Sequence, residues 1–176
     1  TEHRMRLLKK ISIPVFGALL LLPVGLEAQA PARGKVFANI GGWQVKRFPK
    51  YCVASVCFDG DRALRIYSGA DSFSFGFMGA ATATAAPKTP VTYWFDNNKQ
   101  AKFARTAVKR SNVSEDGGAG WLIFVDPANE PSHAGEFELA RTVTFNYKAG
   151  GAAQSETFQL KGARTAFAKV FECSGQ

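Results

Sequence analysis

Short runs of alternating apolar and polar residues, broken by turn signals about every 8–15 positions, dominate this chain and restrict it to a mainly β, antiparallel fold. Trp43-Gln-Val-Lys-Arg-Phe48 alternates and stops at Pro49. Ala63 to Tyr67, Ser72 to Phe77, Val91 to Phe95, Lys102 to Val108, Thr142 to Tyr147 and Glu156 to Leu160 repeat the pattern. Tyr51 to Phe58 is an apolar run too short for a helix, and Trp121 to Val125 has the composition of a buried strand. Asp59-Gly60-Asp61, Gly69-Ala70-Asp71, Asp96-Asn97-Asn98 and Ala149-Gly-Gly151 punctuate these runs as turns. Residues 33–42 read as loose, 79–90 as a loop rich in Ala, Thr and Pro, and Gly117 to Gly120 as flexible. Asn129 to Leu139 has room for a short helix with Phe137 and Leu139 packing inward.

The rhythm changes near the end. Ala163, Ala166, Phe167, Val170 and Phe171 recur at helical spacing, which predicts a short amphipathic C-terminal helix carrying Cys173. About eight strands followed by that helix predict an antiparallel β-sandwich or strongly twisted sheet. Fifteen phenylalanines, one of them in the leader, supply its core.

The N-terminal segment reads as a secretion signal. Met5 is the expected start, Arg6, Lys9 and Lys10 form a positive region, and Ile11 to Leu22 an apolar one. Ala28-Gln-Ala30 and Ala30-Pro-Ala32 both have the small-x-small form. Pro31 directly after the first disfavours it, so cleavage is expected after Ala32. The apolar core is shorter than the roughly 20 residues of a membrane span, so no stable span is expected once the signal is removed. Residues 33–176 then form a single β-rich domain in the periplasm or outside the cell.

Losing residues 1–32 takes Arg4, Arg6, Lys9, Lys10, Glu2 and Glu27 from the chain's 22 basic and 14 acidic residues and leaves a net charge of +6. That balance favours an anionic envelope or host-surface component as partner. The basic residues are scattered, with only pairs such as Lys46-Arg47 and Lys109-Arg110, so nucleic acid is not indicated. An exported domain meets oxidising conditions, and its three cysteines, Cys52, Cys57 and Cys173, fit one bridge and one spare thiol. Cys52 or Cys57 joined to Cys173 would tie the domain end to end. Cys52 joined to Cys57 is the competitor, feasible only across a tight turn.

Motifs for catalysis or metal binding are weak. His133 is the single histidine after the leader, and beside Ser132 and Asp126 it reads as a loop residue rather than as part of a hydrolytic triad. Cys52, Cys57 and His133 lack a fourth zinc ligand, and no cofactor motif is present. Asp59 with Asp61 look like turn formers, and Glu136 with Glu138 like a solvated face, rather than glycosidase pairs. Asn112-Val-Ser114 fits a glycosylation acceptor, which carries little weight behind a bacterial leader. Tyr93-Trp-Phe95 places three aromatics in a row, so one must face away from the others. Tyr93, Trp94, Lys109 and Arg110 are therefore the candidate binding surface. Phe73, Phe75 and Phe77 share one face and read as core. A non-enzymatic binding protein is the favoured function, with a periplasmic hydrolase or a carrier of small apolar ligands as alternatives.

Two stretches at opposite ends add to this. Phe158-Gln-Leu160-Lys-Gly162-Ala-Arg-Thr-Ala166 with Cys173, and Gly42-Trp43-Gln-Val45 with Cys52-Val-Ala54, bracket nearly the whole domain. Together they resemble the invasion-associated locus B family of alphaproteobacterial exported proteins. The resemblance implies export, a role at the envelope or in host-cell entry, no catalytic residues, and a bridge between Cys52 and Cys173. Cys57 departs from the family pattern and would remain a free thiol.

Overall fold

The computed structural model describes residues 34–70, 73–98, 100–111, 121–126 and 132–175. The predicted signal segment, the Gly117–Gly120 stretch and the Asn112–Ser114 acceptor lie outside them. Ten strands form one antiparallel sheet: β1 (Lys35–Ile40), β2 (Trp43–Arg47), β3 (Tyr51–Phe58), β4 (Arg62–Gly69), β5 (Phe73–Met78), β6 (Lys88–Phe95), β7 (Phe103–Ser111), β8 (Trp121–Val125), β9 (Thr142–Ala149) and β10 (Ala152–Gln159). Their spatial order is β1-β2-β3-β4-β5-β8-β7-β6-β9-β10. Two helices, α1 (Ser132–Leu139) and α2 (Ala163–Ser174), complete the described elements, with two short 3-10 turns around Thr82–Thr84 and Asp96–Asn98.

Residues 34–42, expected to be loose, are not. Gly41 and Gly42 both adopt positive φ, 52° and 92°, and turn β1 back onto β2 so that Ile40 faces Trp43. That two-residue geometry suits the right-handed twist of the flanking strands and is cheap only for glycine-like residues. Gly150 and Gly151, at 57° and 83°, do the same between β9 and β10. The expected loop at 79–90 is also shorter than its composition predicts, because Lys88-Thr-Pro90 already pairs with β7. Pro90 is accommodated since pairing of β6 with β9 is registered only from Val91 onward.

The sheet curls until its inner faces meet. Phe77 of β5 stacks on Phe145 of β9 with ring centres 4.1 Å apart, although four strand pairings separate β5 from β9. Phe58 of β3 reaches Phe158 of β10 at 5.6 Å, and the Arg62 guanidinium bonds to Glu156 at 3.1 Å over the same approach. Trp43, Val45, Leu64, Ile66, Phe75, Phe77, Val91, Tyr93, Phe95, Val143, Phe145 and Phe158 are buried there. Each large apolar side chain withdrawn from water contributes about 1.5–3 kcal/mol. Phe58, Phe75, Phe77, Phe145 and Phe158 thus close the curved sheet upon itself.

The C-terminal helix closes one end, as its spacing predicts. Ala163, Ala166, Phe167, Val170 and Cys173 form its buried face. Phe73 at the end of β5 meets Phe167 and Phe171 of α2 and Phe137 of α1. In α1, Phe137 points inward as expected, whereas Leu139 is 73% exposed.

Candidate functional site

Alternation along the strands sorts the candidate surface residues. Neighbouring residues in a strand point to opposite faces. Tyr93 faces inward, fully buried against Phe75, Phe103 and Phe145, so it cannot belong to an exposed surface. Trp94 faces outward, half-buried, with the Lys102 ammonium 5.4 Å from its ring. Lys109 and Arg110 divide likewise. The Lys109 ammonium turns to the Ala83 carbonyl at 3.0 Å, while Arg110 lies outward over the Phe124 ring at 4.7 Å. Trp94 and Arg110 share the outer face but sit far apart. Arg110 is eight residues beyond Lys102 on β7, about 27 Å at 3.4 Å per residue. The structure therefore dissolves the four-residue surface and leaves Arg110 and Trp94 in separate settings.

Arg110 belongs to an outward row absent from the sequence reading. Across β3, β4, β5, β8 and β7, Val53 pairs with Tyr67, Arg65 with Gly76, Gly76 with Phe124, and Phe124 with Val108. Gly76 puts no side chain on this face. The rings of Tyr67 and Phe124 cover the gap from the flanking strands, with centres 4.8 Å apart. A Cβ at Gly76 would lie 3.3 Å from the Ile123 carbonyl oxygen and 3.7 Å from the Phe124 ring. The row continues from Tyr67 to Tyr51 at 6.2 Å and from Tyr51 to Phe48, stacked at 4.8 Å. Tyr51 is 42% exposed at one end and Val108 43% at the other, with Phe124 only 9% exposed between them.

Among the described residues, the strand positions of this face carry cations only. Outward positions of β2 to β5, β7 and β8 carry Lys46, Arg65 and Arg110 and no acidic side chain, with Asp126 standing just past the end of β8. Beyond Tyr51 the row opens into a groove of about 670 Å³, lined among others by Arg47, Lys50, Tyr51 and Glu172. The groove lies over the Cys52–Cys173 disulfide, which closes a sequence separation of 121 residues with Cα atoms 6.0 Å apart. Cys52 and Cys57 lie five residues apart on β3 and so point to opposite faces, which removes the competing pairing. Cys57 is free and exposed.

A second groove, of about 610 Å³, crosses the outer face of β6, β9 and β10, with Pro90, Asn146, Lys148 and Ser155 in its lining. It lacks the aromatic row and the arginine.

His133 is not a loop residue. It sits in α1 with no solvent exposure, and the Tyr93 hydroxyl lies 2.6 Å from its Nε2. Burial, reinforced by the Arg105 cation and opposed by Glu136, lowers its pKa to about 4. Burial also raises the Tyr93 phenol, against a smaller opposing pull from Arg105. At neutral pH the phenol and a neutral imidazole therefore share this hydrogen bond inside the core. The surroundings are rings: Phe75, Phe95 and Phe103. Of the carboxylates, Glu136 accepts hydrogen bonds from the side chains of Asn97 and Asn98. Asp96 caps the backbone N–H groups of Arg141 and Thr142; these bonds outweigh desolvation and lower its pKa. Among the described residues, no three His, Cys, Asp or Glu side chains gather as a metal site, and no helix is long and apolar enough to cross a membrane. Phe75 and Phe77, which a carrier would need open toward a ligand, are engaged ring against ring.

Comparison with known proteins finds no matching family model, no similar curated protein and no similar solved structure.

Proposed function

We infer that this is an exported, non-enzymatic binding domain of the invasion-associated locus B kind, holding an anionic component of the envelope or of a host surface. The observation that supports this reading is that, among the described residues, the outward positions of β2 to β5, β7 and β8 carry Lys46, Arg65 and Arg110 against the one acid, Asp126, just past β8. A basic face on a rigid sheet raises the local concentration of anions and speeds encounter with them. The Cys52–Cys173 bridge suits an oxidising compartment, where a stapled sheet keeps that face in register. The buried His133–Tyr93 pair serves packing in this account, because the imidazole has no exposure to a substrate.

The test is co-sedimentation with envelope fractions and with phosphatidylglycerol-containing vesicles at low and high salt. Retention that fades as the Debye length shrinks below about 8 Å supports the reading. So does weaker retention of the Arg65→Gln, Arg110→Gln double variant. A protein that stays in the supernatant with every anionic surface at low salt overturns it.

A further inference from the structure

We propose that the outer groove of β6, β9 and β10, with Trp94 at its head, binds an uncharged, extended β-linked glycan. It lies on other strands than the cationic positions named above and goes beyond the anion-binding reading. Cross-strand register sets the site out. Trp94 of β6 faces Thr144 of β9, and Thr92 faces Asn146. On the other side of β9, Thr144 faces Thr157 of β10 and Asn146 faces Ser155. From Thr144 to Lys148 β9 runs four residues, about 14 Å, and two inter-strand steps make the site about 10 Å wide. The groove of about 610 Å³ over Asn146, Lys148, Ala153 and Ser155 is in the size range of small-ligand clefts.

These side chains are open, unlike the Phe124 ring. Asn146, Ser155 and Thr157 are exposed, and Thr92, Trp94 and Thr144 are partly so. The Thr144 and Thr157 hydroxyls hold each other at 2.9 Å, which fixes two oxygens that keep spare hydrogen-bonding capacity. The Asn146 amide can both donate and accept. Lys102 reaches the Trp94 ring from the β7 side, 5.4 Å from its centre, and the groove over β9 lies on the other side.

An indole beside a band of hydroxyls and an amide matches a pyranose, whose C–H face is apolar and whose rim carries hydroxyls. Charge argues for a neutral ligand. Among the described residues, the outward positions of these three strands carry no acid. Glu156 shares the inward side with its register partner Phe145, and Arg62 binds it there. Lys88 and Lys148 stand toward one end and Lys102 beside Trp94, so the middle of the face is uncharged. A protein partner would need an apolar centre. Single-stranded nucleic acid would need a series of rings along a cationic groove, and this groove offers one ring. A β-1,4-linked chain is extended and can follow a single strand direction, whereas an α-1,4-linked chain coils away from it.

The test is titration calorimetry of the full chain with cellohexaose, chitohexaose and maltohexaose at low and high salt. At least one of the two β-1,4-linked sugars is expected to bind more tightly than maltohexaose, with an affinity that salt leaves unchanged. Trp94→Ala should weaken that binding about tenfold and Asn146→Ala about threefold, and Trp94→Tyr should restore most of what Trp94→Ala loses. Circular dichroism checks the fold of each variant. Asn146 is exposed, so its truncation leaves the core intact and keeps the test open if Trp94→Ala does not fold. Failure of both β-1,4-linked sugars to bind overturns the proposal. So does tighter binding of maltohexaose, or binding that neither Trp94→Ala nor Asn146→Ala weakens. The sugars carry no charge, so any of these failures leaves co-sedimentation with anionic vesicles as it was, and the two readings fail separately.

Discussion

The indole Nε1 of Trp43 donates a 2.9 Å hydrogen bond to the carbonyl oxygen of Lys161, joining residues 118 positions apart. The next residue, Gly162, has φ 80°, and a Cβ there would stand 3.4 Å from the Trp43 ring. The two terminal motifs singled out in the sequence are therefore one contact. The indole lies against the glycine that starts α2, and that helix brings Cys173 to Cys52. Arg47 strengthens the junction by donating to the Cys173 carbonyl at 3.0 Å, and the Ser68 and Ser174 hydroxyls meet at 2.7 Å.

Trp43→Ala should cost about 3–5 kcal/mol, since it opens a cavity and leaves the Lys161 carbonyl without its donor. Trp43→Phe keeps part of the packing and should cost less. Denaturant midpoints of the two variants check the order.

Breaking the bridge should be nearly as damaging. In the chain-entropy model a loop of this length is worth about 4–5 kcal/mol, so Cys173→Ser should lower the unfolding midpoint sharply, and Cys57→Ser should leave it unchanged. Peptide mapping without reduction should show Cys52 joined to Cys173 and a thiol reagent attached once, at Cys57. Label on Cys52 or Cys173 in the native protein would contradict this.

Much of this architecture was legible in the residues. Spacing located α2 and its buried face, and alternation located most strands. The missed pieces have physical reasons. Gly41-Gly42 looked like looseness because two glycines also fit flexible chain, yet both take the left-handed geometry of a tight hairpin. Tyr93 with Trp94, and Lys109 with Arg110, looked like pairs because they are adjacent in sequence, and a strand sends such neighbours to opposite faces. The outward row is drawn from strands scattered along the chain. Only the placement of β8 between β5 and β7 brings Phe124 beside Tyr67, and no local pattern announces that neighbour.

Acid should destabilise the fold through His133. Its folded pKa of about 4 lies below the ordinary value of 6.5. Between those values the unfolded chain therefore binds a proton that the folded one refuses. The contribution to stability is fully present above pH 6.5 and is lost as pH falls toward 4. Unfolding midpoints measured across that window should drop, and His133→Phe should flatten the slope. If that variant is too unstable to measure, Tyr93→Phe, which keeps the buried imidazole, should retain the slope. A wild-type midpoint constant from pH 7 to 4 would contradict the buried, neutral imidazole.

Gly76 sits in regular pairing beneath the Phe124 ring that Arg110 covers. Gly76→Val should push the Phe124 ring off the sheet and crowd the Ile123 carbonyl, costing about 1–3 kcal/mol. It should also weaken anion binding through loss of the support beneath Arg110. Urea unfolding together with vesicle co-sedimentation separates the two effects. Unchanged binding in a folded Gly76→Val protein would show that the ring floor is not needed.

The most direct measurement is backbone amide shift mapping during titration with inorganic polyphosphate. The account predicts that the largest changes cluster around Lys46 and Arg110 on the outer face and fade with salt. Changes centred instead on Pro90, Asn146 and Ser155 of the second groove, or no changes at low salt, would contradict it.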